Sequence, residues 1–206
     1  MTRLAVIGAG VMGEALVSGL LRAGWSADDI VAADRRDFRR AEMTAAHGIR
    51  ALGNAEAAAE ADTVVLVVKP QDVGAVLPEI SPVLRPGTLL VSLCAGVTTK
   101  ALESHLPAGT AVVRVMPNTT ALVSEGMAAV SAGSNASESD VEHAMQLMTA
   151  LGKAITVPKN YQDAVTAISG SGPAYLFFVV EAMIDAGVML GLPRDIATTL
   201  VNQTMF

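Results

Sequence analysis

The chain has 206 residues, a formal net charge of −6, 17% charged and 51% hydrophobic residues. That composition supplies a sizeable core and excludes a disordered polar chain. The acidic balance, with one short basic cluster at Arg35, Arg36, Arg39 and Arg40, excludes the basic stripe of a nucleic-acid binder.

In chain order, short apolar runs alternate with helical patterns. Arg3–Ile7, Ile30–Ala33, Thr63–Val68, Thr88–Leu93 and Ala111–Val115 read as strands. Several lack period-two alternation, the mark of strands buried on both faces of a parallel sheet. Between them Val11–Ala23, Phe38–His47, Ala55–Ala61, Val73–Ile80 and Thr99–His105 read as helices. Weaker strands at Met127–Val130 and Ala154–Val157 flank a helix at Glu138–Leu151, with Ser137 as its N-cap and Gly152 as its C′ stop. The alternation predicts an α/β fold with a doubly wound, mostly parallel sheet.

After Val157 the pattern turns helical. Asp163–Ile168 leads to the loop Ser169-Gly-Ser-Gly-Pro and a helix from Pro173 to Leu190, ended by Gly191 and Pro193. A last helix starts near Arg194 and runs to Phe206. The Ala174–Leu190 helix is apolar nearly all round and demands burial, yet some 45 residues cannot bury it alone. The segment therefore needs a partner chain or more sequence. We expect domains at 1–160, binding NAD(P), and 161–206, an incomplete all-α dimerisation and substrate unit. The single Cys94 excludes an intramolecular disulfide and suits a reducing cytoplasm. Glu14 interrupts the N-terminal apolar run, and Glu181 and Asp185 interrupt the late helix. The expectation is a soluble cytoplasmic protein without a membrane span.

Residues 3–13, RLAVIGAGVMG, place Gly8, Gly10 and Gly13 as G-x-G-x-x-G between a strand and a helix. Such a loop makes a tight turn, admits a pyrophosphate to the backbone and packs helix on strand, which predicts a Rossmann-type dinucleotide site. Asp34 closes the second strand, 21 residues beyond Gly13. A carboxylate there accepts from ribose hydroxyls and favours NADH. Arg35 and Arg36 suit a 2′-phosphate or are solvated surface arginines. The reading leans to NADPH with NADH possible. Lys69 is either a ligand or a surface lysine, and Cys94 reads as a small core residue rather than a nucleophile. His47, His105 and His143 lack metal-ligand spacing and read as structural or surface residues, so no metal is expected.

Three more segments follow strand ends: Val67–Gln71 (VVKPQ), Ser92–Thr98 (SLCAGVT) and Arg114–Val123 (RVMPNTTALV). With Ser169–Tyr175 (SGSGPAY), this set resembles the pyrroline-5-carboxylate reductase family from Thr2 to Thr204. The resemblance implies NAD(P)H-dependent reduction of 1-pyrroline-5-carboxylate, a cyclic imine, to L-proline, the last step of proline biosynthesis. It implies cofactor contacts at Gly8, Ala9, Gly10, Val11, Met12 and Gly13, at Asp34 and Arg35, and at Asn54. It adds Val67, Val68, Lys69 and Pro70, then Cys94, Ala95 and Gly96, and the nicotinamide loop at Met116, Pro117 and Asn118. It implies substrate contacts at Gly170, Ser171 and Gly172, and a homodimer or larger homo-oligomer through the late helices. Free backbone N–H groups where the Pro173 helix begins are expected to anchor the substrate carboxylate. Family members extend beyond this point with a TSPGGTT-type segment, so the chain reads as truncated and no catalytic acid is assigned. A related imine or keto-acid reductase, or a cofactor-binding fragment without turnover, are the alternatives.

Overall fold

The structure, a computed structural model, describes residues 3–205; Thr2 and Phe206, the outer limits of the expected resemblance and of the last helix, lie outside the described residues. Among the described residues eight strands form one sheet in the order β3-β2-β1-β4-β5-β6-β7-β8. These are β1 (Leu4–Ile7), β2 (Ile30–Ala33), β3 (Arg50–Leu52), β4 (Thr63–Leu66), β5 (Leu89–Ser92), β6 (Ala111–Met116), β7 (Gly126–Ala132) and β8 (Gly152–Thr156). All neighbours pair in parallel except β6 with β7. The central strands β1, β2, β4 and β5 are buried at every residue, as their unalternating apolar runs require.

One apolar layer packs α1 (Val11–Arg22), α2 (Asp37–His47) and α6 (Glu138–Thr149) on one face, through Leu16, Val17, Leu20, Met43, Leu147 and Met148. The other face carries α3 (Asn54–Glu60), α4 (Val73–Ile80) and α5 (Thr99–Glu103), through Ala57, Ala58, Val76, Leu77, Ile80 and Leu102. Helices on both faces make the sheet doubly wound. Its strand order reverses direction between β1 and β4, and a crevice outside that switch point is where such sheets bind ligands.

Two local readings need correction. β3 escaped the sequence reading because it is three residues long, begins with the exposed Arg50 and sits at the sheet edge. Gly152 is not the stop of α6. The helix, capped by Ser137 as expected, ends at Thr149 with Ala150 as its C-cap, and Gly152 opens β8 at φ +144° with its backbone against Gly126. An added Cβ would lie 2.1 Å from the Gly126 carbonyl oxygen, so close strand contact explains this glycine.

Beyond the sheet, α7 (Gln162–Val165) runs through a wide π-turn at Thr166–Gly170 into α8 (Gly172–Met189) and α9 (Arg194–Met205). Gly191, at φ +96°, reverses the chain so that α9 packs back on α8, with Gly187 against Ala197. Ile184 and Pro173 are buried. The expected burial of α8 is otherwise not met within the chain: Tyr175, Phe177, Met189 and Leu190 are exposed, and Phe178 is 77% exposed. Residues 159–189 form a helical run long and apolar enough to cross a membrane by length and composition, although Glu181 and Asp185 lie in it.

Candidate cofactor and active site

The glycine loop joins β1 to α1 at the switch point. Gly8 adopts φ +108°, and its N–H donates to the Ala33 carbonyl at 2.8 Å. A side chain there would meet the Val67 carbonyl oxygen at 2.6 Å. At Gly13 a Cβ would lie 2.0 Å from the Gly8 carbonyl oxygen, whereas at Gly10 it would meet nothing within 4 Å. Gly8 and Gly13 therefore set the backbone, while Gly10 leaves open space beside the start of α1. Gly10 also caps that helix without a side-chain bond, so the first-turn N–H groups of Val11–Gly13 have no capping side chain. Uncapped donors, the positive end of the helix dipole and room at Gly10 fit a pyrophosphate.

A cleft of about 410 Å³ runs from this loop past the ends of β2 and β4. Of the expected cofactor residues, Gly8, Gly10, Asp34, Arg35, Asn54, Val67, Val68 and Lys69 line it. The sequence reading missed Gln71, Asp72, Ala75, Val76 and Glu79, which also line it from the α4 side. Glu79 accepts from Asn54 Nδ2 at 2.9 Å and so fixes that buried carboxamide. Glu79 lies 25 residues from Asn54, and no local spacing signals the pair.

The end of β2 is a charge cluster. Arg36 forks onto Asp34, with Nε 2.8 Å from Oδ1 and Nη2 3.0 Å from Oδ2, and its backbone N–H donates to Oδ1 at 2.9 Å. The Arg36 guanidinium also lies 5.4 Å from the Phe38 ring centroid. Burial pushes the Asp34 carboxyl up, but the Arg36 bonds and charge outweigh it and hold the group below its ordinary value. Arg39 donates to the Ala9 carbonyl at 2.5 Å, to Glu42 and to Glu14, tying the glycine loop to α2. The bonds from Arg39 and His47 hold Glu14 below its ordinary value. Arg40 donates to the Asp34 carbonyl at 2.7 Å and to Asp37. Arg39 and Arg40 are thus internal braces, while Arg36, half exposed, braces Asp34 and also lines the cleft. Arg35 is exposed at the cleft without an ion pair among the described residues.

Apart from Ala9 and Val11–Gly13, in the glycine loop and the start of α1, the remaining expected cofactor residues stand at or after the ends of β4, β5 and β6, outside this half of the cleft. Pro70 opens an exposed turn. Cys94 is buried under the Val67–Val68 loop, its thiol donating to the Val68 carbonyl at 3.3 Å, and burial pushes that thiol up. It braces the cleft wall rather than lining it; Ala95 and Gly96 beside it are exposed. Asn118 Oδ1 accepts from Thr120 Oγ1 at 2.7 Å and from the Met127 N–H at 2.9 Å, so this oxygen shapes its own loop. Met116, at the end of β6, meets Gly170: a Cβ at Gly170 would be 2.7 Å from Met116 Cε. The fold therefore brings the expected nicotinamide loop and the SGSG turn into contact. The donors expected at the helix start are less free than the sequence implied. The Ser171 N–H donates to the Thr166 carbonyl at 2.8 Å, the Ala174 N–H to the Ser171 carbonyl at 3.0 Å, and Pro173 has none. The wide π-turn consumes the first of these.

Comparison with known proteins agrees with this layout. Residues 3–96 match a family model described as NADP oxidoreductase coenzyme F420-dependent, and residues 159–206 match pyrroline-5-carboxylate reductase dimerisation. The pyrroline-5-carboxylate reductase of Mycobacterium leprae is 44% identical over 210 residues, covering 100% of this chain and 71% of its own length. That of Pseudomonas aeruginosa is 45% identical over 204 residues, covering 98% and 75%. Among solved structures, a pyrroline-5-carboxylate reductase from Coxiella burnetii superimposes with TM-score 0.92 at 32% identity, covering 99% of this chain and 77% of that one. A Plasmodium falciparum pyrroline carboxylate reductase with NADP bound gives 0.85 at 32%, covering 99% and 76%. The sheet, the cleft, the SGSG turn and these matches make the chain a member of the pyrroline-5-carboxylate reductase family.

Proposed function

We propose that this chain reduces 1-pyrroline-5-carboxylate to L-proline with NADPH, NADH being the weaker donor. The observation that carries the reading is the contact between Met116 and Gly170, which sets the end of β6, on the same sheet as the dinucleotide cleft, against the SGSG turn. When bound, the reduced nicotinamide supplies a hydride to the imine carbon C5. The chain's own work is positioning and shielding. Gly8–Gly13 hold the pyrophosphate, Asp34, Arg35 and Asn54 meet the adenosine, and Val67–Pro70 with Cys94–Gly96 shape the cleft wall. Met116 and Asn118 shape the nicotinamide end, and Gly170, Ser171 and Gly172 shape the carboxylate side of the substrate pocket. With the Ser171 N–H engaged by Thr166, the Ser171 hydroxyl is a polar group this turn still offers. Ser171→Leu should then raise KM for the imine at least about tenfold while KM for NADPH stays within twofold, since only one of the two contacts is lost. Equal rises in both would contradict the assignment.

We take residues 1–160 as the cofactor domain and 161–206 as helical substrate and dimerisation domain. The exposed apolar face of α8, around Tyr175, Phe178 and Leu190, is read as a homodimer surface in a cytoplasmic enzyme; the match to a dimerisation family supports this. Assay of NADPH consumption with and without the imine tests the function. Imine-dependent turnover is expected. Turnover only with other imines or keto acids would reject the substrate, and cofactor binding without turnover would reject the activity.

A further inference from the structure

Arg114 lies in β6 at 4% exposure, yet its Nε and Nη2 have no hydrogen-bond partner among the described residues. The nearest opposite charge is Asp163 Oδ1, 4.0 Å from Nη2, on a side chain that is 96% exposed. Desolvation lowers the pKa of the guanidinium, and the Asp163 charge only partly restores it. A buried cation with idle donors weakens a fold, and an apolar residue of similar volume in its place is often neutral or stabilising. Stability alone does not account for this arginine.

Its place in the sheet does. Arg114 and Met116 are two residues apart in a strand, so their side chains leave the same face. On that face Met116 touches Gly170, and Arg114 faces Asp163. Gln162 is seated on β7 beside them, its Nε2 donating to the Ala129 carbonyl at 3.2 Å and to Ser131 Oγ at 2.8 Å. Ser131 is the register partner of Arg114. Residues 162–170 therefore meet the sheet at a polar foot, Gln162 and Asp163, and at an apolar tip, Gly170. The tip closes the π-turn at Thr166–Gly170, a geometry frequent at functional sites.

We propose that Arg114 is a positioning residue: through Asp163 it fixes where the 162–170 segment stands on β6, and so sets Gly170–Gly172 against the Met116 end of the cofactor cleft. It touches neither substrate nor cofactor. The proposal rests on the reductase reading for its kinetic consequence, and on the seam alone for its structural one.

The test uses the whole chain with three variants: Arg114→Met, Asp163→Asn and the pair combined. Arg114→Met should leave the thermal midpoint unchanged or raise it. It should raise KM for the imine about 30-fold, the scale of a sub-ångström misplacement at a reacting centre, with KM for NADPH within about twofold. Asp163→Asn, at an exposed position that any folded chain tolerates, should shift the same constant in the same direction, and the double variant should be no worse than Arg114→Met. Amide hydrogen exchange should rise in residues 162–171 and stay unchanged at the glycine loop. Unchanged exchange in 162–171, equal effects on both substrates, or additive effects of the two substitutions would overturn the proposal. Because exchange needs no substrate, it decides the seam even if the unsubstituted chain fails to reduce the imine, which would reject the functional reading separately.

Discussion

At the residue scale, the glycine loop separates two duties that a sequence motif merges. Gly13 has no room for a side chain, whereas Gly10 opens on empty space. Gly13→Ala should therefore destabilise the fold by about 1–3 kcal/mol, the usual cost of overpacking, seen as a lower denaturant midpoint. Gly10→Ala should leave that midpoint nearly unchanged and weaken NADPH binding, measured by titration calorimetry, because its methyl group occupies the phosphate approach. Equal loss of stability in both variants would remove the distinction. Arg36 is the second residue whose role depends on geometry. Its fork engages both carboxylate oxygens of Asp34, the groups that would accept from an NADH ribose, and its guanidinium lines the cleft, where it would suit a 2′-phosphate. Arg36→Gln should weaken 2′,5′-ADP binding about tenfold or more, the order of one lost charge-assisted contact, and leave 5′-AMP binding within about twofold. The same loss for both nucleotides would contradict the role.

At the element scale, α6 contributes a pH-sensitive contact. His143 Nε2 lies 3.1 Å from Thr63 Oγ1, and its ring is 6.4 Å from that of Trp25. Burial lowers its pKa, with Asp140 opposing. The unfolded chain then binds a proton that the folded chain resists, so stability falls as pH drops from the ordinary histidine value near 6.5 towards the lowered folded value, and is flat above it. Thermal midpoints measured across about pH 5 to 8 should show this acid limb, and His143→Gln should flatten it. An unchanged limb would place the titrating group elsewhere. The sole tryptophan, Trp25, gives an optical reading of the same titration. Most of these elements were legible because buried parallel strands and amphipathic helices write their burial into local periodicity. β3 was not, since a three-residue edge strand starting with Arg50 carries no such pattern. In the site, Gly8–Gly13 and Asp34 were legible from spacing, while Glu79 on Asn54, the Arg36 fork and the Arg114 seam depend on side chains that only the fold brings together. The true reason for Gly152 was likewise invisible, because its constraint is Gly126, 26 residues away across the sheet.

At the scale of the whole molecule, residues 4–156 carry the doubly wound sheet, and the shorter helical part after it presents an apolar helix to solvent. The match to a dimerisation family supports the proposal that a second copy covers α8. Phe178→Glu, at an exposed position, should leave the chain folded and shift it to the monomer in size-exclusion chromatography with light scattering. An unchanged mass would move the interface elsewhere, and partition of the unsubstituted chain into lipid vesicles would make this face a membrane contact instead. The end of β6 and the SGSG turn meet at Met116 and Gly170, and the proposed reaction needs hydride to cross there. The direct measurement is the mass of the product formed from pyrroline-5-carboxylate and NADPH deuterated at both C4 positions. Proline carrying one deuterium at C5 is expected. Unlabelled proline, or no proline with the cofactor bound, would contradict the proposed reaction.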